Sequence, residues 1–243
     1  MKNNKQDGIG HLLYIGLAVL VLLGVATVGW RVFSSNKIKN NDPGIVDSNN
    51  PADKTLACKK AIGDTDLCKF AANFNSKAAY KAVDTAATTE GHGTITIQSD
   101  GKGNSSVLSD YNGSDSSYVI LNGDTYIKDP ASGIWLKYGK NAATSPSTTS
   151  PADSFKISAS NITDNGTITY KNLGGITTGT GVSLIKYELI DASQPDTTQY
   201  FWFDNKNYLL NEYYVKNSNG TNDIQFTYQA VTISAPSPVV NAP

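Results

Sequence analysis

The N-terminal part of the chain contains one long apolar run without a charged residue, from Leu12 to Trp30. As a helix this run would span about 29 Å, close to the ~30 Å hydrocarbon core of a bilayer. Tyr14 and Trp30 stand near its two ends, where aromatic rings prefer the membrane interface. The pattern predicts a single transmembrane anchor over residues 12–33, preceded by a cytoplasmic tail at residues 1–11.

Three other interpretations of this segment are weighed. Gly24-Val25-Ala26 offers the small residues of a signal-peptidase site, but the apolar run continues past it, which favours an uncleaved anchor. Thr55-Leu56-Ala57-Cys58 resembles a lipobox, yet it lies far beyond the apolar run, so a lipid-anchored form is rejected. A prepilin-like leader fits Gly8 and Gly10 loosely, but the acidic residue near the start of such helices is missing.

The remainder of the chain is expected to lie outside the cytoplasm. Basic residues are nearly balanced on the two sides of the anchor, so they do not orient it. The C-terminal side, however, carries paired cysteines and Ser/Thr-rich loops. We expect a flexible stalk at residues 34–53, an extracytoplasmic domain at residues 54–236 and a disordered tail at residues 237–243.

Within the predicted outer domain, helical spacing gives way to strict alternation. Between Lys54 and Thr88, apolar residues recur at helical spacing with breaks near Gly63 and Asn75, which predicts two or three short helices. Ser76 is the expected N-cap of the last one. From Gly91 onward the period is two, and strands are predicted at Thr94–Gln98, Tyr118–Leu121, Thr125–Lys128, Ile134–Tyr138, Phe155–Ser158, Thr167–Tyr170, Ser183–Ile190, Tyr200–Asp204, Tyr208–Tyr214, Ile224–Gln229 and Val231–Ser234.

Turn residues join several of these strands at short range. Asn122-Gly123-Asp124 is a strong hairpin signal, and Asp129–Gly133 links the next pair. Gly139–Asp153 is rich in Ala, Ser, Thr and Pro and is expected to be a mobile loop or linker. The predicted class is α+β, with an N-terminal transmembrane helix and short helices packed against a long curved antiparallel sheet, a half-barrel.

Composition and charge narrow the range of functions. The net charge is −1 and charged residues make up 17% of the chain. No basic excess is present to neutralise phosphates, so no nucleic-acid partner is expected.

The residues that usually carry catalysis or bind metals are scarce. Cys58 and Cys68 are the only cysteines, and outside the cytoplasm such a pair predicts a disulfide. Of the two histidines only His92 belongs to the outer domain, where a turn-like stretch indicates an exposed loop position. No nucleophile elbow, zinc-protease helix or P-loop occurs, so no enzyme, cofactor or metal site is predicted.

Two acidic stretches invite a calcium interpretation. Asp64-Thr65-Asp66 and Asp110–Asp115 lack the spacing of an EF-hand and its late glutamate, and both are therefore interpreted as turns. Two carboxylates that converge in space for glycosidase-like chemistry are not excluded by the sequence.

The last predicted strands follow one another in a distinctive series. An aromatic strand, Tyr200–Phe203, is followed by a turn at Asp204, a second strand from Tyr208, and a last strand ending in Val231–Pro236. A hairpin leads from Tyr126 to Trp135 earlier in the chain. In these features the chain resembles the LolA and LppX-type lipoprotein-carrier superfamily over about residues 70–236, which implies a half-open β-barrel closed by helices.

That resemblance implies a binding function. An apolar cavity between sheet and helices would hold a lipid or a lipidated partner, lined by inward-facing residues. The candidates are Ile95, Ile97, Val119, Leu121, Ile127, Trp135, Leu184, Phe201, Phe203 and Phe226. The alternatives are that these residues only fill a closed core, and that the chain is a pilin-like or adhesin-like surface protein without a small ligand; an envelope hydrolase is the third and least favoured hypothesis.

Overall fold

The computed structural model describes residues 58–59, 63–73, 78–139 and 168–242. Twelve segments of these residues form β-strands, in most of which inward-facing and outward-facing side chains alternate. The helix α1 spans Thr65–Asn73. The strands are β1 Tyr80–Thr88, β2 Gly91–Ser99, β3 Ser105–Tyr111, β4 Ser114–Leu121, β5 Asp124–Lys128, β6 Trp135–Tyr138, β7 Ile168–Thr177, β8 Ser183–Asp191, β9 Thr198–Asp204, β10 Leu210–Asn217, β11 Gly220–Thr227 and β12 Val239–Asn241.

All of these strands belong to one sheet, in the order β12-β6-β5-β4-β3-β2-β1-β11-β10-β9-β8-β7. Every pairing is antiparallel except that of β12 with β6. The sheet is long, curved and not closed, with α1 on one face. The half-barrel predicted from the sequence is therefore confirmed for the described residues.

Short turns set the register of the β1–β6 half. Asn122 and Gly123 between β4 and β5 both have positive φ, 54° and 83°, as a type I′ hairpin turn requires. Asp129 closes the next turn, where its Oδ1 accepts a hydrogen bond from the amide of Ala131 at 3.1 Å. Both predicted hairpins are present.

Asp64 fixes the start of α1 and ties the helix to the sheet. Its Oδ1 accepts the backbone amide of Leu67 at 2.9 Å, which makes it the N-cap. The hydroxyl of Tyr187 on β8 donates to the same carboxylate at 2.8 and 2.9 Å, and the amide of Asn172 on β7 donates to that hydroxyl at 2.9 Å. The interpretation of Asp64–Asp66 as a turn is thus wrong, because the stretch begins a helix.

The predicted disulfide is present. Cys58 and Cys68 are bonded, with their Cα atoms 5.6 Å apart, and both are buried. Cys58 and Lys59 are helical, and the amide of Gly63 donates to the carbonyl of Lys59 at 2.8 Å, so the bridge joins this helical segment to α1.

Replacing both cysteines with serine is expected to lower the free energy of unfolding by about 2–3 kcal/mol, because the bridge closes a short loop in the unfolded chain. Urea denaturation of the purified full chain, with and without reductant, measures the loss. Reductant is expected to destabilise the wild type and to leave the double variant unchanged. A wild type indifferent to reductant would show that the bridge adds no stability.

An aromatic cluster forms the larger core between α1 and the β7–β11 half of the sheet. Leu67 and Phe70 of α1 are fully buried there. The ring of Phe70 stacks on that of Phe203 at a centroid distance of 4.5 Å, and Tyr187 stacks on Phe201 at 5.4 Å. Parallel aromatic faces on neighbouring strands thus hold the helix to the sheet.

A smaller core lies around β4–β6, built from Val119, Tyr126 and Trp135 with Leu121 and Ile233 packed against it. Ile233 belongs to the connection from β11 to β12. We call this connection, residues 228–238, the strap. It leads from β11 in the middle of the sheet to β12 at its edge, and Ile233 packs on the smaller core along the way.

The predicted third helix is wrong. Ala78, Ala79, Ala82 and Val83 follow helical spacing, but residues from Tyr80 onward form β1 in the middle of the sheet. Backbone pairing with β2 on one side and β11 on the other outweighs the weak local preference of alanine.

The C-terminal predictions also need correction. Val239–Asn241 in the expected tail forms β12, and the amide of Trp135 donates to the carbonyl of Pro238 at 3.0 Å. Val231–Ser234, predicted as a strand, has no ladder partner because it lies in the strap. The edge of β6 supplies the backbone partners that order the tail.

The membrane prediction is not tested by the structure. No helix among the described residues is both long and apolar enough to cross a bilayer. The predicted anchor at residues 12–33, the stalk at residues 34–53 and the strand at Phe155–Ser158 all lie outside the described residues.

Candidate functional site

Strand alternation assigns each side chain to one of two faces of the sheet. The inner face is the one that contacts α1, and on β1 it carries Tyr80 and Ala82, both of which belong to the larger core. The outer face carries the intervening positions, such as Val83. Backbone register extends this assignment from β1 to the neighbouring strands.

Six consecutive strands, β1 to β6, place an apolar side chain at matched register on the inner face. This inner apolar row consists of Ala82, Ile97, Val107, Tyr118, Ile127 and Leu136. It runs about 24 Å across the sheet. Ala82 is buried in the larger core opposite Phe226, whereas the other five side chains are half-buried.

Both margins of the inner apolar row mix polar and apolar side chains. On one side lie the buried hydroxyl-bearing residues Ser99, Ser105 and Thr125, together with Ile120. On the other side lie Asp84 of β1, Ile95 of β2 and Ser109 of β3, with Asn222 of β11 one inward-facing position further on. A molecule lying along the row would therefore meet apolar side chains beneath it and some hydrogen-bonding groups along its flanks.

Asp84 and Asn222 are buried with part of their hydrogen-bonding capacity unused. They are only 8% and 4% exposed. The Asn222 amide nitrogen donates to Oδ2 of Asp84 at 3.4 Å. Oδ1 of Asp84 and Oδ1 of Asn222 have no hydrogen-bond partner among the described residues, although most buried polar atoms in proteins have one.

Burial raises the pKa of Asp84 to about 7. The long hydrogen bond from Asn222 lowers this pKa and the charge of Asp223 raises it, and both contributions are smaller than that of burial. A carboxyl group with this pKa changes between its neutral and charged forms near neutral pH.

A second buried polar group lies two strands away from Asn222. Gln199 of β9 is separated from Asn222 by Val215 of β10. Its Oε1 accepts a hydrogen bond from the hydroxyl of Tyr213 at 2.6 Å, while its Nε2 has no partner among the described residues. Burial raises the pKa of Tyr213, so its hydroxyl keeps its proton and holds the amide in this orientation.

The sequence-predicted pocket residues lie on both faces of the sheet. The inner face carries Ile95, Ile97, Ile127, Phe201, Phe203 and Phe226. The outer face carries Val119, Leu121, Trp135 and Leu184. The expectation that all ten point inward is therefore wrong for these last four.

The error in β4 and β6 has a simple cause. Tyr118–Leu121 is apolar at every position, so alternation does not reveal which residues point inward. The strap covers the outer face at this place with Ile233, which allows Val119 and Trp135 to be buried there. Ala82, Val107, Tyr118 and Leu136 are the row residues that sequence reasoning missed.

Asp84 was missed for a different reason, since the segment around it resembled a helix. The useful signal was the alternation of Tyr80, Ala82, Asp84 and Ala86, all of which are buried on one face of β1. Among the described residues, no group of three or more His, Cys, Asp and Glu side chains could hold a metal ion. His92 is exposed, as expected, but it lies in β2 and not in a loop.

Comparison with known proteins gives structural matches only. No protein-family model and no curated protein matches the chain. LprF from Mycobacterium bovis aligns with 70% of this chain and 95% of its own, at 14% identity and a TM-score of 0.46. The lipoprotein LppX from Mycobacterium tuberculosis aligns with 76% of this chain and 95% of its own, at 9% identity and a TM-score of 0.39.

A LolA superfamily protein from Nitrosomonas europaea aligns with 68% of this chain and 93% of its own, at 9% identity and a TM-score of 0.28. All three TM-scores lie below 0.5, and alignments at this level assign no function to this chain.

Proposed function

We propose that this chain is a membrane-anchored, extracytoplasmic binding or carrier domain whose inner face holds the acyl chain of a lipid or lipidated ligand. The observation that carries the proposal is the inner apolar row. An acyl chain extends across about half of the ~30 Å hydrocarbon core, so a row of about 24 Å is long enough to accommodate one.

The two halves of the sheet differ in a way that suits this role. In the β7–β11 half, the inner face is filled by stacked aromatic rings and covered by α1. In the β2–β6 half, the row residues Ile97, Val107 and Ile127 are half-buried. Apolar side chains flanked by a few polar groups are typical of ligand sites.

The proposed location rests on the sequence. Residues 12–33 would hold the protein at the cell membrane, and the disulfide between Cys58 and Cys68 suits an oxidising compartment outside the cytoplasm. A domain tethered in this way would meet lipids or lipoproteins at the membrane surface. We propose no catalytic step.

Photolabelling in membranes tests the proposal. A phospholipid with a diazirine at the end of one acyl chain is incorporated into cells that express the full chain, and labelled peptides are mapped by mass spectrometry. We expect adducts on β2–β4 in addition to adducts within residues 12–33. Labelling confined to the apolar N-terminal segment would contradict the proposal.

Val107→Asn is expected to reduce labelling of the inner face about tenfold. It places an amide in the middle of the row, where an acyl chain offers no hydrogen-bond partner. Leu108→Asn is the matched control, because Leu108 is the next residue of β3, lies on the outer face and is 45% exposed. Equal labelling of both variants would show that the row does not contact the ligand.

The interaction alternative has one observation in its favour. Leu173 and Ile176 of β7 and Ile190 of β8 are exposed beside the edge of the sheet. Exposed apolar residues next to a sheet edge favour contact with another protein. Crosslinking on the same cells distinguishes the two functions: a ladder of oligomers without lipid adducts on the inner face would support the alternative.

A further inference from the structure

We propose that Asp84 and Asn222 form a headgroup subsite, which binds a hydrogen-bond donor, either an ammonium or a hydroxyl group, on the lipid whose chain lies along the inner apolar row. This inference rests on the proposed function. It adds the chemical class of the ligand's polar end and the residues that would recognise it.

Asp84 and Asn222 lie at the β1 end of the inner apolar row. Asp84 follows Ala82 of the row by one inward-facing position on β1. Asn222 lies on β11 opposite Ala86, diagonally across from Asp84 and within hydrogen-bond distance of it. Consecutive inward positions on one strand are about 7 Å apart. A headgroup at Asp84 would therefore stay attached to a chain that lies along the row.

The unused atoms define the chemistry. The two oxygens without partners, Oδ1 of Asp84 and Oδ1 of Asn222, are hydrogen-bond acceptors when the carboxyl is ionised. The hydrogen bond between Asn222 and Asp84 occupies the amide nitrogen, which leaves the two acceptors on the inner face. Two buried acceptors require donors, and a ligand hydroxyl or ammonium group supplies them.

The charges around the site favour the same class. No lysine or arginine of the described strands lies on the inner face. Strand β2 has no ionisable side chain on the inner face, and the ionisable residue of β11, Asp223, lies on the outer face. Strand β10 has Tyr213 on the inner face, and the ionisable residues of α1 are Asp66 and Lys69. An anionic headgroup would find no cation on those strands.

Competition with the photolabel tests the subsite in the full chain. Stearylamine, stearyl alcohol and methyl stearate share one chain and differ in whether the head is an ammonium, a hydroxyl or a group without a donor. The amine or the alcohol is expected to suppress inner-face labelling at about tenfold lower concentration than the ester. Equal potency of all three compounds would overturn the subsite.

The pH dependence of the competition distinguishes the ammonium head from the hydroxyl head. Burial raises the pKa of Asp84 to about 7, so the carboxylate forms as the pH rises from about 6 to about 8. Suppression by the amine is expected to strengthen over this range. Suppression by the alcohol is expected to change little, because a neutral carboxyl and a carboxylate both hydrogen-bond a hydroxyl. A preference for either head supports the proposal.

Asp84→Asn is expected to remove the advantage of the amine over the ester at about pH 8. Asp223→Asn is the matched control, since it removes a carboxylate from the other face beside Asn222. A preference for the amine over the ester that survives Asp84→Asn at about pH 8 would overturn the subsite alone. Absence of any inner-face labelling in the wild type would overturn both the subsite and the proposed function.

Discussion

Replacing Phe203 with alanine is expected to lower the free energy of unfolding by about 3–5 kcal/mol. The side chain is fully buried at the junction of α1 and the sheet. Its ring lies 4.5 Å from that of Phe70 and 5.5 Å from that of Tyr187, nearly parallel to both. Removal of the ring leaves a cavity between strands and helix that backbone pairing prevents from collapsing.

Urea denaturation followed by tryptophan fluorescence measures this loss, because Trp202 is adjacent to Phe203 on β9. Ile190→Ala is the matched control: Ile190 lies on the neighbouring strand β8 but is 43% exposed, and its loss is expected to change stability by less than about 0.5 kcal/mol. If the free energy of unfolding of Phe203→Ala falls no further than that of the control, the aromatic cluster does not provide the main stability of the domain.

The β8–β9 hairpin shows where sequence reasoning is reliable. Ser183–Ile190 and Tyr200–Asp204 were predicted as strands, and the structure places them in β8 and β9. Alternation there is strong because one face packs against α1 and the other carries polar residues such as Glu188. Asn122-Gly123 was equally informative, since few residues other than glycine and asparagine accept positive φ.

The β1 error shows the limit of local pattern. Alanine suits both a helix and a strand, and β1 has alanine at three of its nine positions. The strand is decided by its neighbours, β2 and β11, and β11 is distant in sequence. No local window contains that information, which is also why Asp84 escaped notice.

The inner apolar row could not be predicted for a related reason. Its members are separated along the chain and become neighbours only through register. The last four residues of β4, Tyr118–Leu121, are apolar on both faces of the sheet. Identifying Tyr118 and not Val119 as inward-facing therefore requires the position of Ile233 on the strap. A segment distant in sequence therefore decides which residues of β4 point inward.

Structure and proposed function are connected through the division of the sheet. The aromatic cluster and α1 fill the inner face of one half of the sheet. This packing holds β1, which carries Asp84, against β11, which carries Asn222. The row extends from this half into β2–β6, where the side chains are only half-buried. The proposed headgroup subsite lies at the boundary, so its residues are positioned by the rigid core while the chain of the ligand lies on the row.

Asp84→Asn is expected to raise the free energy of unfolding at about pH 8 by as much as about 4 kcal/mol, and to have little effect near pH 4. The pKa of Asp84 rises from 3.8 to about 7 in the folded state, chiefly through burial. Between these values the folded protein binds a proton that the unfolded chain has released. Wild-type stability contributed by this group therefore falls as the pH rises through that window.

Urea denaturation of the wild type and of Asp84→Asn between about pH 4 and about pH 8 measures the difference, whose slope is expected to approach 1.4 kcal/mol per pH unit. Subtracting one protein from the other cancels the carboxyl groups that they share. Asp223→Asn controls for the loss of one negative charge; because Asp223 contributes less than burial to the raised pKa of Asp84, this variant is expected to keep most of the wild-type pH dependence. A pH-independent difference would mean that water reaches the Asp84 carboxylate freely, and the same result would remove the reason for a ligand to supply its missing hydrogen bond.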